Sequence, residues 1–134
     1  MREQERFERE RQARAGKVMS KDDVVRLFDE HEKMWARIPT LDILGWGSFP
    51  WPMLKKPSTP EELLTPAIGA YVLNPNVASE KSEKDRIKEH IRRWHPDRFD
   101  TRLLPKVRAD EREKVKDGAG QVTRCLNELL MRHS

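Results

Sequence analysis

The chain has 134 residues, of which 37% are charged and 36% hydrophobic, and a formal net charge of +4. That leaves room for one domain and an arm around a thin core, and the mild basic excess permits an acidic partner without demanding nucleic acid. The single cysteine, Cys125, excludes an internal disulfide and suits the reducing conditions of the nucleus or cytoplasm. No apolar run approaches the roughly 20 residues of a membrane span. The N-terminus is charged from Arg2 onward and lacks the apolar stretch of a secretory signal. Met1 opens straight into that charged run, which fits a segment of a longer protein.

Residues 1–19 read as a charged arm, helical or disordered, and residues 20–134 as the folded domain. Within residues 1–17, Phe7 is the only large apolar side chain after Met1. Mixed charges at helical spacing support at most a solvated helix there.

Ser20 opens a helix expected over about 20–38. Asp23 three residues on makes a capping box, and Asp22 and Asp23 suit the positive end of the helix dipole. Val24, Leu27, Phe28, His31, Met34, Trp35 and Ile38 form a stripe at i, i+3, i+4 spacing, and Pro39 stops it. Residues 39–59 read as a loop rich in proline and glycine, yet they carry Leu41, Leu44, Trp46, Phe49 and Trp51. So many aromatics in an ordered loop are expected to wrap the helices and fill out the core, the alternative being an exposed partner-binding loop. Thr59 and Pro60 then open a short helix expected over about 60–73, with Thr59 as its N-cap and a kink at Pro66.

The next helix is expected over about 80–94, opening at Ser79 or Ser82. One face carries Ile87, His90, Ile91 and Trp94; the other shows Lys81, Lys84, Arg86, Lys88, Arg92 and Arg93. It ends at His95-Pro96-Asp97, because Pro96 lacks an N–H and drives His95 out of the helical region. This forms a rigid polar knuckle, which loses little entropy on docking. C-terminal helices are expected over about 99–131, with a break at Pro105 and a long last helix from Asp110 to Met131. Gly118 and Gly120 weaken that helix or let it approach another helix closely.

No enzyme constellation is present. The four histidines and Cys125 lack zinc-ligand spacing, and no glycine-rich loop fits a nucleotide fingerprint. Cys125, among apolar neighbours, reads as a buried, inert thiol. His95 and Asp97 have no third orienting group, and a loop tip excludes water poorly. As a binding device they make better sense, since Asp97 can accept charge-assisted hydrogen bonds from a partner arginine. No catalytic residue, metal, cofactor, small-molecule substrate or membrane partner is implied.

The basic helix, Trp94, the His95-Pro96-Asp97 turn and the downstream run Val122-Thr123-Arg124-Cys125-Leu126-Asn127-Glu128-Leu129-Leu130 resemble the J-domain, the family of co-chaperones of seventy-kilodalton heat-shock ATPases. The resemblance implies an all-α fold: an antiparallel helical hairpin with the tripeptide in its loop, here with an extra N-terminal helix and a packed aromatic, proline-rich loop. It also implies a protein-binding module that docks on the chaperone and stimulates its ATP hydrolysis. His95, Pro96 and Asp97 would be the trigger, and Lys84, Lys88, Arg92 and Arg93 the docking charges.

The chain departs from the ordinary pattern in several places. Glu61 to Leu73 stands where a tyrosine-bearing first helix is usual. His90 replaces a leucine, Arg92 an apolar residue, and Arg98-Phe99 a lysine–asparagine pair. The stretch from Asp97 to Cys125 is longer than usual. Arg-Trp-His-Pro-Asp-Arg-Phe, together with Phe49-Pro50-Trp51-Pro52 and Leu126-Asn127, resembles the C-terminal region of the nuclear factor kappa-B inhibitor-like proteins and their fungal relatives. That group implies an alternative, a J-fold scaffold without chaperone activity in a nuclear RNA-processing, splicing or transcription-regulatory assembly. A third reading is direct RNA binding, with bases stacked on tryptophans beside the basic helix.

Overall fold

A computed structural model describes residues 19–77 and 79–133, so the charged arm lies almost wholly outside the described residues. The fold is all-α: α1 (Lys21–Arg37), α2 (Thr65–Val72), α3 (Glu83–Trp94) and α4 (Arg112–Arg132), joined by short helical turns. Among the described residues the only extended pairing is an isolated parallel bridge, Leu44 with Val107. No described helix is long and apolar enough to cross a membrane.

Helix α1 starts as its sequence dictates. The Asp23 N–H donates to Ser20 Oγ at 3.1 Å, and the Ser20 N–H to the Asp23 carboxylate at 3.3 Å. Only Val24 within α1 is fully buried, and Ile38 just past its end; Leu27, Phe28, His31, Met34 and Trp35 are half-buried, with Phe28 stacked on Tyr71 of α2 at 4.3 Å. The segment expected as one helix over 60–73 is two elements. Pro60–Glu62 is a 3-10 turn, and α2 begins only at Thr65. Leu64 between them is extended, with φ −110° and ψ 149°, and over half exposed. Thr59 stands at the N-cap, but it is the Glu62 carboxylate that reaches back, accepting from the N–H of Ser58 at 2.6 Å and of Thr59 at 2.9 Å. Those bonds hold the Glu62 carboxyl below its ordinary range.

Helices α3 and α4 run antiparallel. His133 Nδ1 lies 3.2 Å from Glu83 Oε2 at one end of the pair. Towards the other, Thr123 Oγ1 donates to the Trp94 carbonyl at 3.1 Å. Ser82 is the N-cap of α3, its hydroxyl accepting from the Asp85 N–H. Helix α4 begins at Arg112, not Asp110, after a tight turn closed by the Glu111 N–H on the Arg108 carbonyl.

The loop before α2 is core, not surface. Leu44, Trp46, Phe49 and Trp51 are each no more than 5% exposed. Trp46 stacks on Trp51 at 4.2 Å, Trp51 on Trp94 at 5.0 Å, and Trp94 on Phe99 at 5.5 Å. Each loop indole N–H is satisfied, Trp46 by the Pro57 carbonyl at 2.7 Å and Trp51 by the Trp46 carbonyl at 2.9 Å. Gly118 of α4 makes room for this stack: a Cβ there would come within 2.8 Å of both indoles. The close approach expected of the α4 glycines is therefore to the aromatic loop rather than to a helix. Gly120 has open space instead. Cys125 is buried, its Sγ 3.5 Å from the Leu63 carbonyl.

Candidate functional site

The α3 sequence divides cleanly between two faces. Ile87 and Trp94 are buried, and Ile91 is half-buried against the core. Lys84, Lys88 and Arg92 recur every four residues on the opposite face and are all exposed. Eight residues of α-helix rise about 12 Å, so these three form a slightly oblique stripe of about that length. None of the three has a carboxylate partner among the described residues.

The remaining cations of α3 are engaged. Lys81, just before the helix, bonds Glu89 at 2.7 Å and holds that carboxyl below its ordinary range. Arg86 donates to the Asn74 carbonyl at 3.2 Å. Arg93, expected among the docking charges, pairs with Glu32 of α1 at 2.8 Å and lies over the Trp35 ring, 5.6 Å from its centre. Its charge is thus largely answered within the fold.

The stripe runs down to the knuckle. His95 ends α3 and is also the N-cap of the helical turn Pro96–Arg98, so the tripeptide is no open loop. Pro96 occupies the first helical position, where its missing N–H is no loss. The His95 carbonyl accepts from the N–H of Arg98 at 3.1 Å and of Phe99 at 2.8 Å. The Asp97 N–H donates to His95 Nδ1 at 3.2 Å. That bond requires an unprotonated Nδ1, which puts the ring proton of the neutral imidazole on Nε2. The turn thus offers two groups: an imidazole N–H donor on a half-exposed ring, and an Asp97 carboxylate that is 95% exposed.

The next two turns of chain fix the knuckle from beneath. Phe99 is fully buried and opens a π-helical turn, Phe99–Leu103, closed by the Leu104 N–H on the Phe99 carbonyl. Thr101 Oγ1 donates to the Asp97 carbonyl. The 3-10 turn Leu104–Lys106 then absorbs Pro105, and Val107 pairs with Leu44. The knuckle therefore stands on buried Trp94 and Phe99, held from α4 by Thr123.

Thr123 and Glu32 are two positioning residues that the sequence does not single out. Thr123 sits in a run that reads only as an apolar helix face. Glu32 lies 61 residues from its partner and has no local signal. Among the described residues no group of His, Cys, Asp or Glu has the arrangement to hold a metal ion. Of the tryptophans the RNA reading needs, Trp46, Trp51 and Trp94 have their faces stacked within the core. No family model, curated protein or solved structure matches this chain.

Proposed function

We propose that this chain is a J-domain-like protein-binding module, an antiparallel α3–α4 hairpin that docks on a seventy-kilodalton heat-shock ATPase and stimulates its ATP hydrolysis. One observation carries the reading. A stripe of three cations without a carboxylate partner among the described residues, Lys84, Lys88 and Arg92, leads to a rigid turn that exposes the His95 imidazole and the Asp97 carboxylate. The stripe steers an acidic surface on the partner and sets the register of docking. The Asp97 carboxylate then accepts charge-assisted hydrogen bonds from a partner arginine. Because the turn is stitched to the core, its geometry exists before the encounter, and little entropy is lost on binding.

The test is single-turnover ATP hydrolysis by a heat-shock ATPase from the same organism, with the parent chain, His95→Gln or Asp97→Asn added. The reading requires stimulation by the parent and its loss in both variants while helical circular dichroism is unchanged.

The second reading, a J-fold scaffold of a nuclear RNA-processing assembly, draws on the engagement of α3 by α1 through Glu32 and Trp35. A helix clamped to the basic helix suits a static assembly as well as a transient trigger. Absence of stimulation across the organism's heat-shock ATPases would favour it.

A further inference from the structure

A groove of 420 Å³ opens beside the knuckle, between the C-terminal half of α1 and the chain after the turn. Its floor is apolar, formed by Trp35, Ile38 and Leu103. Its rim is cationic, formed by Arg93, Arg98, Arg102 and Lys106, and among the described residues no acidic side chain lines it. Glu32 answers Arg93 alone. Lys106 Nζ donates to the carbonyls of Ile38 at 3.2 Å and Pro39 at 3.4 Å, which anchors its charge at the groove without neutralising it. Arg98 and Arg102 are exposed, lie four residues apart, and have no carboxylate partner among the described residues.

We propose that this groove is a docking site for an acidic linear segment of a partner protein that carries one apolar anchor side chain. Charge complementarity argues for the acidic segment: three cations that no described carboxylate answers converge on one cleft, and arginine forks bind carboxylates in bidentate fashion. The apolar floor argues for the anchor, because a purely ionic ligand would leave Leu103 and the exposed part of Trp35 facing water. Nucleic acid fits less well. The Trp35 ring meets Trp94 edge-on at 5.1 Å and carries the Arg93 guanidinium over one face, where a base would have to displace it. The site does not rest on the co-chaperone reading, since neither His95 nor Asp97 lines it.

The experiment is a fluorescence-anisotropy titration of the full chain into a fluorescein-labelled peptide of glutamates flanking a central leucine. Saturable binding is expected. Combined Arg98→Glu and Arg102→Glu should weaken it at least about tenfold, and replacing the peptide's leucine by serine about fivefold. The Arg98 and Arg102 side chains are exposed and form no ion pair among the described residues, so circular dichroism of that variant should match the parent. Lys84→Glu with Lys88→Glu, and His95→Gln, should leave affinity within about twofold. Equal weakening by the Lys84 and Lys88 changes would overturn the proposal, as would indifference to the leucine. So would tighter binding of poly-uridine RNA with the same arginine dependence.

Discussion

Arg93 at the end of α3 is held by Glu32 of α1, with guanidinium and carboxylate 2.8 Å apart. The pair withdraws one positive charge from the basic helix just before the knuckle. Glu32 is mostly exposed, so the ion pair itself contributes at most about 1 kcal/mol. Glu32→Gln should therefore leave the melting temperature nearly unchanged. It should also free Arg93 and raise the affinity for an acidic partner about two- to threefold at low salt, an advantage that disappears at high ionic strength. Titrations at two salt concentrations check this.

Two glycines of α4, two residues apart, should respond with opposite signs. Gly118 faces the Trp46 and Trp51 rings with no room for a methyl group. Gly118→Ala should destabilise the fold by about 1–3 kcal/mol, because the indole stack must shift. At Gly120 a methyl group meets nothing within 4 Å. Gly120→Ala should stabilise by about 0.5–1 kcal/mol, the ordinary gain of alanine over glycine inside a helix. Urea denaturation of the two variants decides it.

Stability should fall on mild acidification. His31 Nδ1 lies 2.7 Å from the Tyr71 hydroxyl, and His90 meets the Tyr71 ring edge-on at 5.9 Å. Burial, opposed by Glu32, pushes His31 down to about 4. Burial, with Arg93 and Arg86 nearby and Glu89 and Glu32 opposing, pushes His90 down to about 4. Both are neutral in the fold, whereas in the unfolded chain they titrate near 6.5. The unfolded state thus binds more protons, and stability is complete above pH 6.5 and lost as pH falls towards 4. For His90 the loss is on the order of 3 kcal/mol. Thermal melts between pH 7 and 4 should show this slope, and His90→Leu should flatten it. Glu89 and Glu62, both shifted down, contribute only below about 4.5.

Local rules make much of this fold legible. The Ser20 capping box and the two-faced α3 arise from short-range chemistry, and they stand where the sequence puts them. Pro39 does not stop the chain's helical path but sits inside the 3-10 turn Ile38–Thr40 that follows α1. The density of Trp46, Phe49 and Trp51 within a proline-rich stretch signals a packed loop, because such rings cannot stay in water cheaply. Pro66 suggests a kink inside one helix. It is in fact near the start of α2, since Leu64 must be extended before that turn. The Leu44–Val107 bridge, the Glu32–Arg93 pair and the Thr123 cap join residues 29 to 63 positions apart and have no periodicity to betray them. At the knuckle, the identities of His95, Pro96 and Asp97 are legible. That Arg93 faces α1, while Lys84, Lys88 and Arg92 have no carboxylate partner among the described residues, depends on where α1 packs.

Thr123 links α4 to the foundation of the knuckle. Its hydroxyl lies 3.1 Å from the Trp94 carbonyl, a group left without an intrahelical partner at the end of α3, and 3.1 Å from the Ala119 carbonyl one turn back in α4, and its single proton is shared between the two. Thr123→Val keeps the shape and removes the donor, and should cost about 1 kcal/mol. If the knuckle depends on that support, the variant should lower maximal ATPase stimulation more than it lowers affinity, whereas Thr123→Ser should restore it.

The most direct measurement titrates this chain against the single-turnover rate of a heat-shock ATPase, giving a maximal rate and a half-maximal concentration. Saturable stimulation by the parent is the predicted result. His95→Gln and Asp97→Asn should abolish the maximal rate, and Lys88→Glu should raise the half-maximal concentration about tenfold while leaving the maximum intact. Stimulation that survives both His95→Gln and Asp97→Asn, or no stimulation by a parent chain with intact helical circular dichroism, would contradict the co-chaperone reading.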